Sequence, residues 1–454
     1  MTPQLGIASR WLAVVLSLAI CTGSAAAHAA SLDPQVSVGG KCQRAGQTRK
    51  AQGVVFVCQK SGNRLTWTKR AASSGTGSAT TSTTTTSTAG GTSASTAACK
   101  LPVADGRGDV SIGGWPRISE RGKTTGTVVA TVIMVDFPDA PATMTPQAAF
   151  AKISGATATF SEMSYDRMNY AFNPQYKWYR MSRPSTHYAP LNASFVSHRE
   201  YIREATALAD PDVNFSATDS LVILANPDAR GLGMAGPAFS PINGNGVTLD
   251  GRYISNGATS AFDLNSWRSI WLNHEITHTL GLVDFYAFTR ENSNNPYDGH
   301  RYVGEFSYMG LSSFDGNAPS LFAFERWNLG WLDDSQIVCT SAKEITQLIT
   351  PVQTAGGVKA VIVPLSSTKA LVVESRRAIG LDSRIAKSGA LVYTVDSSVQ
   401  SGYGPVRVFP NAVATDPRFL QAPRANGESV TVDGITVKVT NASSSGDTVL
   451  ITRP

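Results

Sequence analysis

The run His274-Glu275-Ile276-Thr277-His278-Thr279-Leu280-Gly281-Leu282-Val283-Asp284 gathers two imidazoles and two carboxylates into eleven residues. Histidines four apart lie one turn apart on the same helix face, so both rings can reach a single metal ion. Glu275, beside the first histidine, can take a proton from a water at that ion without being a ligand itself. Gly281 can end the helix with a positive φ and turn the chain back. Asp284 can then arrive as the third ligand. Three protein ligands with the fourth position left to water make a catalytic zinc site rather than a structural one. Two imidazoles and a carboxylate suit zinc best among the divalent transition metals. The chain has 6 histidines in 454 residues, so a chance H-E-x-x-H occurs on the order of once in several hundred such chains. The chemistry that follows is hydrolysis by a metal-activated water, with Glu275 as general base passing its proton to the leaving amine.

A helix has to carry this motif. Asn265 and Ser266 offer capping oxygens. Trp267, Ile270, Trp271, His274 and His278 then recur at helical spacing. Upstream, residues 128–135 (VVATVIMV) and 221–225 (LVILA) read as apolar strands between turn signals. Residues 145–171 and 196–208 read as helices. Strands with helices, then a long motif helix, give an α/β domain. From about Ser335 short β-type runs recur at 359–364, 370–374, 390–395, 430–439 and 448–452, separated by Gly, Ser, Asp and Asn. They predict an all-β, sandwich-like domain.

The extended pattern H-E-x-x-H-x-x-G-x-x-D, with Phe306-Ser307-Tyr308-Met309-Gly310 downstream, resembles the metzincin clan of zinc peptidases. Residues 274–286 (HEITHTLGLVDFY), Tyr308-Met309-Gly310, and residues 319–332 (PSLFAFERWNLGWL) are similar to the M6 peptidases, the immune inhibitor A group. Residues 131–139 (TVIMVDFPD) resemble that family's first catalytic strand, and residues 374–396 its following β-rich segment. The resemblance runs from about Val128 to Asp396. One departure is Val283, where the family usually has proline. The resemblance implies a metzincin-like α/β (α+β) peptidase domain with a cleft above zinc. It implies His274, His278 and Asp284 as ligands, Glu275 as base and Met309 packed beneath the metal. Tyr286 and Tyr308 are near enough in sequence to reach the cleft, where a hydroxyl could steady an oxyanion. A buried tyrosine satisfying its own hydroxyl is the commoner case. His187, His198 and His300 have no ligand spacing and read as surface or structural residues.

The rest of the chain sets the surroundings. Residues 1–30 read as a signal peptide, with Arg10 before the apolar run Trp11 to Ile20 and small residues after it. The run is too short for a permanent membrane anchor, and export from the cell is expected. Residues 31–70 read as a small module paired through cysteine, with strands at 54–58 and 65–67. That module could associate with the cell envelope or serve as a spacer. Residues 71–98, almost entirely Ser, Thr, Gly and Ala, read as a linker. The peptidase domain then spans 99–335 and the β-rich domain 336–454. Four cysteines follow the leader, and an even number in an exported chain predicts two disulfides. Position favours Cys42 with Cys58 and Cys99 with Cys339, although Cys99 could instead ligate the metal in a latent form. Residues 287–304 hold Asn292, Asn294, Asn295 and Asp298, oxygen donors that could serve calcium, though a plain solvated loop reads better. Only 16% of residues are charged and the net charge of +6 is spread along the chain, which excludes a nucleic-acid footprint. The expected partner is a protein or peptide substrate. Two alternatives remain open at this stage: a zinc hydrolase of non-peptide amides at the cell envelope, and an envelope-binding protein.

Overall fold

The computed structural model describes residues 95–103, 114–189, 194–234, 236–240 and 246–454, together with Lys41 and three strands of the N-terminal region. The leader, Cys42 and residues 71–94 lie outside the described residues. The chain divides into two units, Met1–Thr88 and Ala89–Pro454. In the first, Thr48–Ala51 and Arg64–Lys69 pair antiparallel on either side of Val54–Ser61. Cys58 sits opposite Trp67 and both are buried. Cys58 is disulfide-bonded.

The second unit begins on a five-stranded sheet. Strand Gly126–Asp136 lies between Met168–Arg180 and Ser220–Ala225, all three parallel. Gly257–Thr259 continues the sheet in parallel, and Ala238–Phe239 closes it antiparallel at one edge. Alternation along the strands feeds two cores. Val128, Ala130, Val132 and Met134 point to one face with Val222 and Leu224. Ile133, Val135, Leu221 and Ile223 point to the other. The motif helix covers the first face through Trp271, Leu272 and Ile276. Helix Phe195–Ala209 covers the second through Tyr201, Ile202, Ala205 and Ala209. A sheet covered on both faces explains why its strands read as unbroken apolar runs.

His198, on that second helix, is 2% exposed, and its Nε2 lies 2.8 Å from Thr259 Oγ1. Burial pushes its pKa down to about 4. The unfolded value is about 6.5, so the folded state binds fewer protons as pH falls through that interval. Stability is full above about pH 6.5 and is lost as pH drops through 4, by up to about 3 kcal/mol. His198→Gln should remove that share of the acid sensitivity. Urea unfolding near neutral pH and near pH 4 checks it, and an unchanged pH slope would exclude His198 as its source.

From Ile337 the chain builds two more sheets. One orders Ile337–Cys339, Ala360–Pro364, Lys369–Arg376, Gly389–Asp396 and Val406–Phe409. The other orders Glu344–Ile349, Gly446–Thr452, Ile435–Ser443 and Ser429–Val432. Val361, Val363, Leu371, Val373 and Val392 face the second sheet. Their alternates Ile362, Val372, Leu391 and Tyr393 join the core that holds the motif helix. The sandwich expected after Ser335 therefore exists, but it is part of the same unit as the helices, not a body of its own. Residues 96–98, read as the end of the linker, instead belong to a 3-10 turn, Thr96–Cys99. Thr96 and Lys100 both bind Asp334, and Cys99 is bonded to Cys339. Cys99 is thus a structural half-cystine in this form, not a metal ligand. Among the described residues no helix is long and apolar enough to cross a membrane.

Candidate metal centre

The motif helix runs Ser269–Thr279. It does not start from Asn265 and Ser266, which belong to a separate short helix, Asp263–Ser266. Arg268, at φ 49°, breaks the two apart. Asn265 instead accepts from Lys152 Nζ and donates to the Pro227 carbonyl. Burial on nearly all sides fixes the helix in place. Trp271 Nε1 donates to the Gly236 carbonyl at 2.8 Å and Asn273 Nδ2 to the Ala156 carbonyl at 3.0 Å. At the C-terminal end, Gly281 adopts φ 106°, a conformation open to glycine and strained for other residues. Arg117 and Arg121 donate to the Leu280 and His278 carbonyls at 2.9 and 3.3 Å. Cations belong at this negative end of a helix.

The glycine turn brings Asp284 back over the helix. Its Oδ1 lies 3.0 Å from His274 Nε2 and 3.4 Å from His278 Nε2. A tetrahedral ion with bonds of about 2.0–2.1 Å sets its donors about 3.3–3.4 Å apart. His274 Nδ1 faces the Tyr308 carbonyl at 3.3 Å and His278 Nδ1 the Leu282 carbonyl at 3.0 Å. A carbonyl can only accept, so each ring carries its proton on Nδ1 and turns the Nε2 lone pair inward. Three electron-pair donors thus converge on one point, which requires a positive charge there. A proton on His278 Nε2, beside Asp284, supplies part of that charge, and a metal ion would displace it. Burial opposes charge on His278, yet the Asp284 carboxylate outweighs it and pushes the imidazole up to about 9. Burial likewise works against Asp284, and the two imidazoles overcome it, holding its carboxyl well below the usual range. The donor set fits a divalent cation.

Glu275 lies close as well: the ligand atoms of His274, Glu275 and His278 all fall within 4.8 Å of one another. Asp284 is nevertheless the better third donor, because Glu275 Oε2 accepts a hydrogen bond from Ala238 N at 2.9 Å and is tied to the edge strand. Burial raises the Glu275 carboxyl, the imidazoles pull it back and Asp284 pushes it further up. A carboxylate shifted towards neutrality is suited to take and return a proton.

Met309 is fully buried in the core below the helix. The turn leading to it holds Ser307 at φ 70°. Ser307 Oγ donates to Glu325 and accepts from Met309 N. The Met309 carbonyl receives Phe285 N at 2.9 Å, tying the turn to the residue after Asp284. Tyr308 is buried and reaches the site through its carbonyl, not its hydroxyl. Burial first, then the nearby Asp284 and Glu275 charges, raise the Tyr286 pKa. His300 is buried against the Gly304 carbonyl and Asp315, away from the three donors, and is structural.

Four contributors left no mark in the sequence pattern. Phe314 packs its ring 4.7 Å from that of His274 and 4.8 Å from Trp267, whose Nε1 donates to the Phe314 carbonyl. Asp263 accepts from Gly236 N and Ala261 N and so fixes the segment that carries Ala238. Burial pushes its carboxyl up to about 7 despite those bonds. Arg117 and Arg121 are separated from their helix partners by some 160 residues. Only spatial proximity reveals such roles.

No family profile and no curated protein matches the chain. Among solved structures, wild-type OgpA from Akkermansia muciniphila is similar with a TM-score of 0.27 and 11% identity, over 63% of this chain and 87% of that one. A superposition so loose carries no argument about family or activity.

Proposed function

We propose that the protein is a secreted zinc-dependent endopeptidase of the metzincin type, resembling the M6 peptidases. The observation that carries this is the convergence of His274 Nε2, His278 Nε2 and Asp284 Oδ1 beside a general base. Zinc held by those three donors would acidify water and polarise a carbonyl. Glu275 would take the water proton and deliver it to the leaving nitrogen. Tyr286, close enough to feel the Asp284 charge, would steady that carboxylate in line with the two imidazoles. Among the described residues the edge strand Ala238–Phe239 pairs on one side only, and it touches Glu275 through Ala238 N. An extended peptide could add to that open edge by main-chain hydrogen bonds, which would lay a scissile bond across the site.

Purified protein should cleave casein or a quenched peptide. A zinc chelator should abolish the cleavage, and added zinc should restore it. Bound zinc with no cleavage of any peptide would redirect the proposal to non-peptide amides. Cleavage that survives complete zinc removal would end it.

A further inference from the structure

Between Asp284 and the methionine turn lies an oxygen-rich loop, and its centre is occupied by a guanidinium. Arg301 Nη1 donates to the Thr289 carbonyl at 2.7 Å, to the Asp298 carbonyl at 3.2 Å and to Asp298 Oδ2 at 2.9 Å. Its Nη2 reaches Thr289 Oγ1, the Tyr302 hydroxyl and Glu291 Oε1, at 3.4, 3.3 and 3.3 Å. Arg301 and Asp298 are both buried. The side chain stacks on the Tyr302 ring, 4.8 Å from its centre. This is the kind of ligand set a calcium ion collects: carbonyls, hydroxyls and carboxylates around one positive charge. Two of the other candidate donors are used locally, Asn292 Oδ1 by Asn294 N and Asn295 Oδ1 by Tyr297 N. A divalent ion placed among the same oxygens would stand against the guanidinium, and like charges that close repel strongly. The position calcium would take is therefore already filled by Arg301.

We propose that Arg301 is the resident cation of this loop, that the loop folds without calcium, and that Arg301 is a positioning residue for the metal centre. Its reach explains the positioning role. Ala287 N bonds the Gly299 carbonyl and Glu291 N bonds Asp298 Oδ2, so the clasp closes the chain three residues after Asp284. Val408 N bonds the Tyr302 carbonyl and Gly304 N the His300 carbonyl, so it also fixes the approach to Met309. A planar fork with fixed donors can span this many acceptors, whereas a lysine cannot. The positioning role rests on the zinc reading above; the calcium independence does not.

The test is thermal unfolding of the full chain with calcium added or withheld, at buffered free zinc, for the wild type, Arg301→Gln and Arg301→Lys. The wild-type midpoint should ignore calcium. Arg301→Gln should unfold roughly 5 °C lower or more, because it leaves buried Asp298 without its partner charge. It should regain part of that loss with calcium, and Arg301→Lys should recover less than half of it. Zinc affinity of folded Arg301→Gln, read by competition with a chromogenic chelator, should fall by roughly tenfold, the low end for lost support of a metal ligand, because Arg301 acts on Asp284 through the backbone and touches no ligand itself. A wild-type midpoint that rises with calcium overturns the proposal, and so does an Arg301→Gln protein with unchanged midpoint and zinc affinity. If Arg301→Gln does not accumulate in folded form, the wild-type calcium titration decides alone. No readout depends on cleavage, so failure here is distinct from failure of the peptidase reading.

Discussion

Glu275→Gln should bind zinc normally and lose about 10³-fold or more in kcat. Glutamine keeps the length and can still accept the hydrogen bond that Ala238 N now gives to Glu275 Oε2. The two imidazoles keep their own anchors at the Tyr308 and Leu282 carbonyls, so the three donors stay in register. What is lost is a basic oxygen beside the metal. General-base assistance contributes about 10²–10⁴, and a 10³-fold loss corresponds to about 4 kcal/mol of barrier. The measurement pairs zinc content with single-turnover peptide cleavage. A variant that keeps zinc and more than about a tenth of the activity would remove Glu275 from the proton path. Loss of zinc together with activity would instead make Glu275 part of the ligand set.

The largest effect on stability should come from Cys99→Ser with Cys339→Ser. The bond closes a sequence separation of 240 residues, and both sulfurs are fully buried. Loop-closure entropy for so long a ring amounts to about 5 kcal/mol in the chain-entropy account. The bond also holds the segment that leads to Arg117 and Arg121 against the end of the motif helix. Guanidinium unfolding of the double variant should therefore show a loss of about 3–5 kcal/mol, within the usual range for a native disulfide. A loss below about 1 kcal/mol would mean that the hydrogen bonds of Thr96, Lys100 and Arg117 hold the segment unaided.

The candidate metal centre was legible because its donors are local. His274, His278, Gly281 and Asp284 span eleven residues, and one helix plus one left-handed glycine places them. What the sequence did not disclose depends on distant partners. Strand Met168–Arg180 overlaps a region that read as helix up to residue 171, and it contains Pro174. Proline is tolerated there because the strand is the sheet edge, with a register shift opposite Val132 and Met134. The helix start was misread because Arg268 takes a positive φ that no local rule assigns to arginine. The strands at Ile337–Cys339, Glu344–Ile349 and Val406–Phe409 are short or half-exposed, and their identity comes from their neighbours. The change in composition near Ser335 suggested a domain boundary. The unbroken apolar runs beyond it, buried on both faces, carried the opposite message.

On the proposed reading, one contact bears on when the site can form. The main-chain carbonyl of Asp284 accepts from Ser401 Oγ at 3.3 Å and from Gly402 N at 3.4 Å. The proposed third donor thus leans on chain synthesised more than a hundred residues later. Contacts of such separation form late in folding. A nascent chain holding only the histidine helix has both imidazoles and Glu275 but lacks the backing for Asp284. The order of synthesis would then act as a delay, keeping the proposed centre incomplete until nearly the whole polypeptide has emerged.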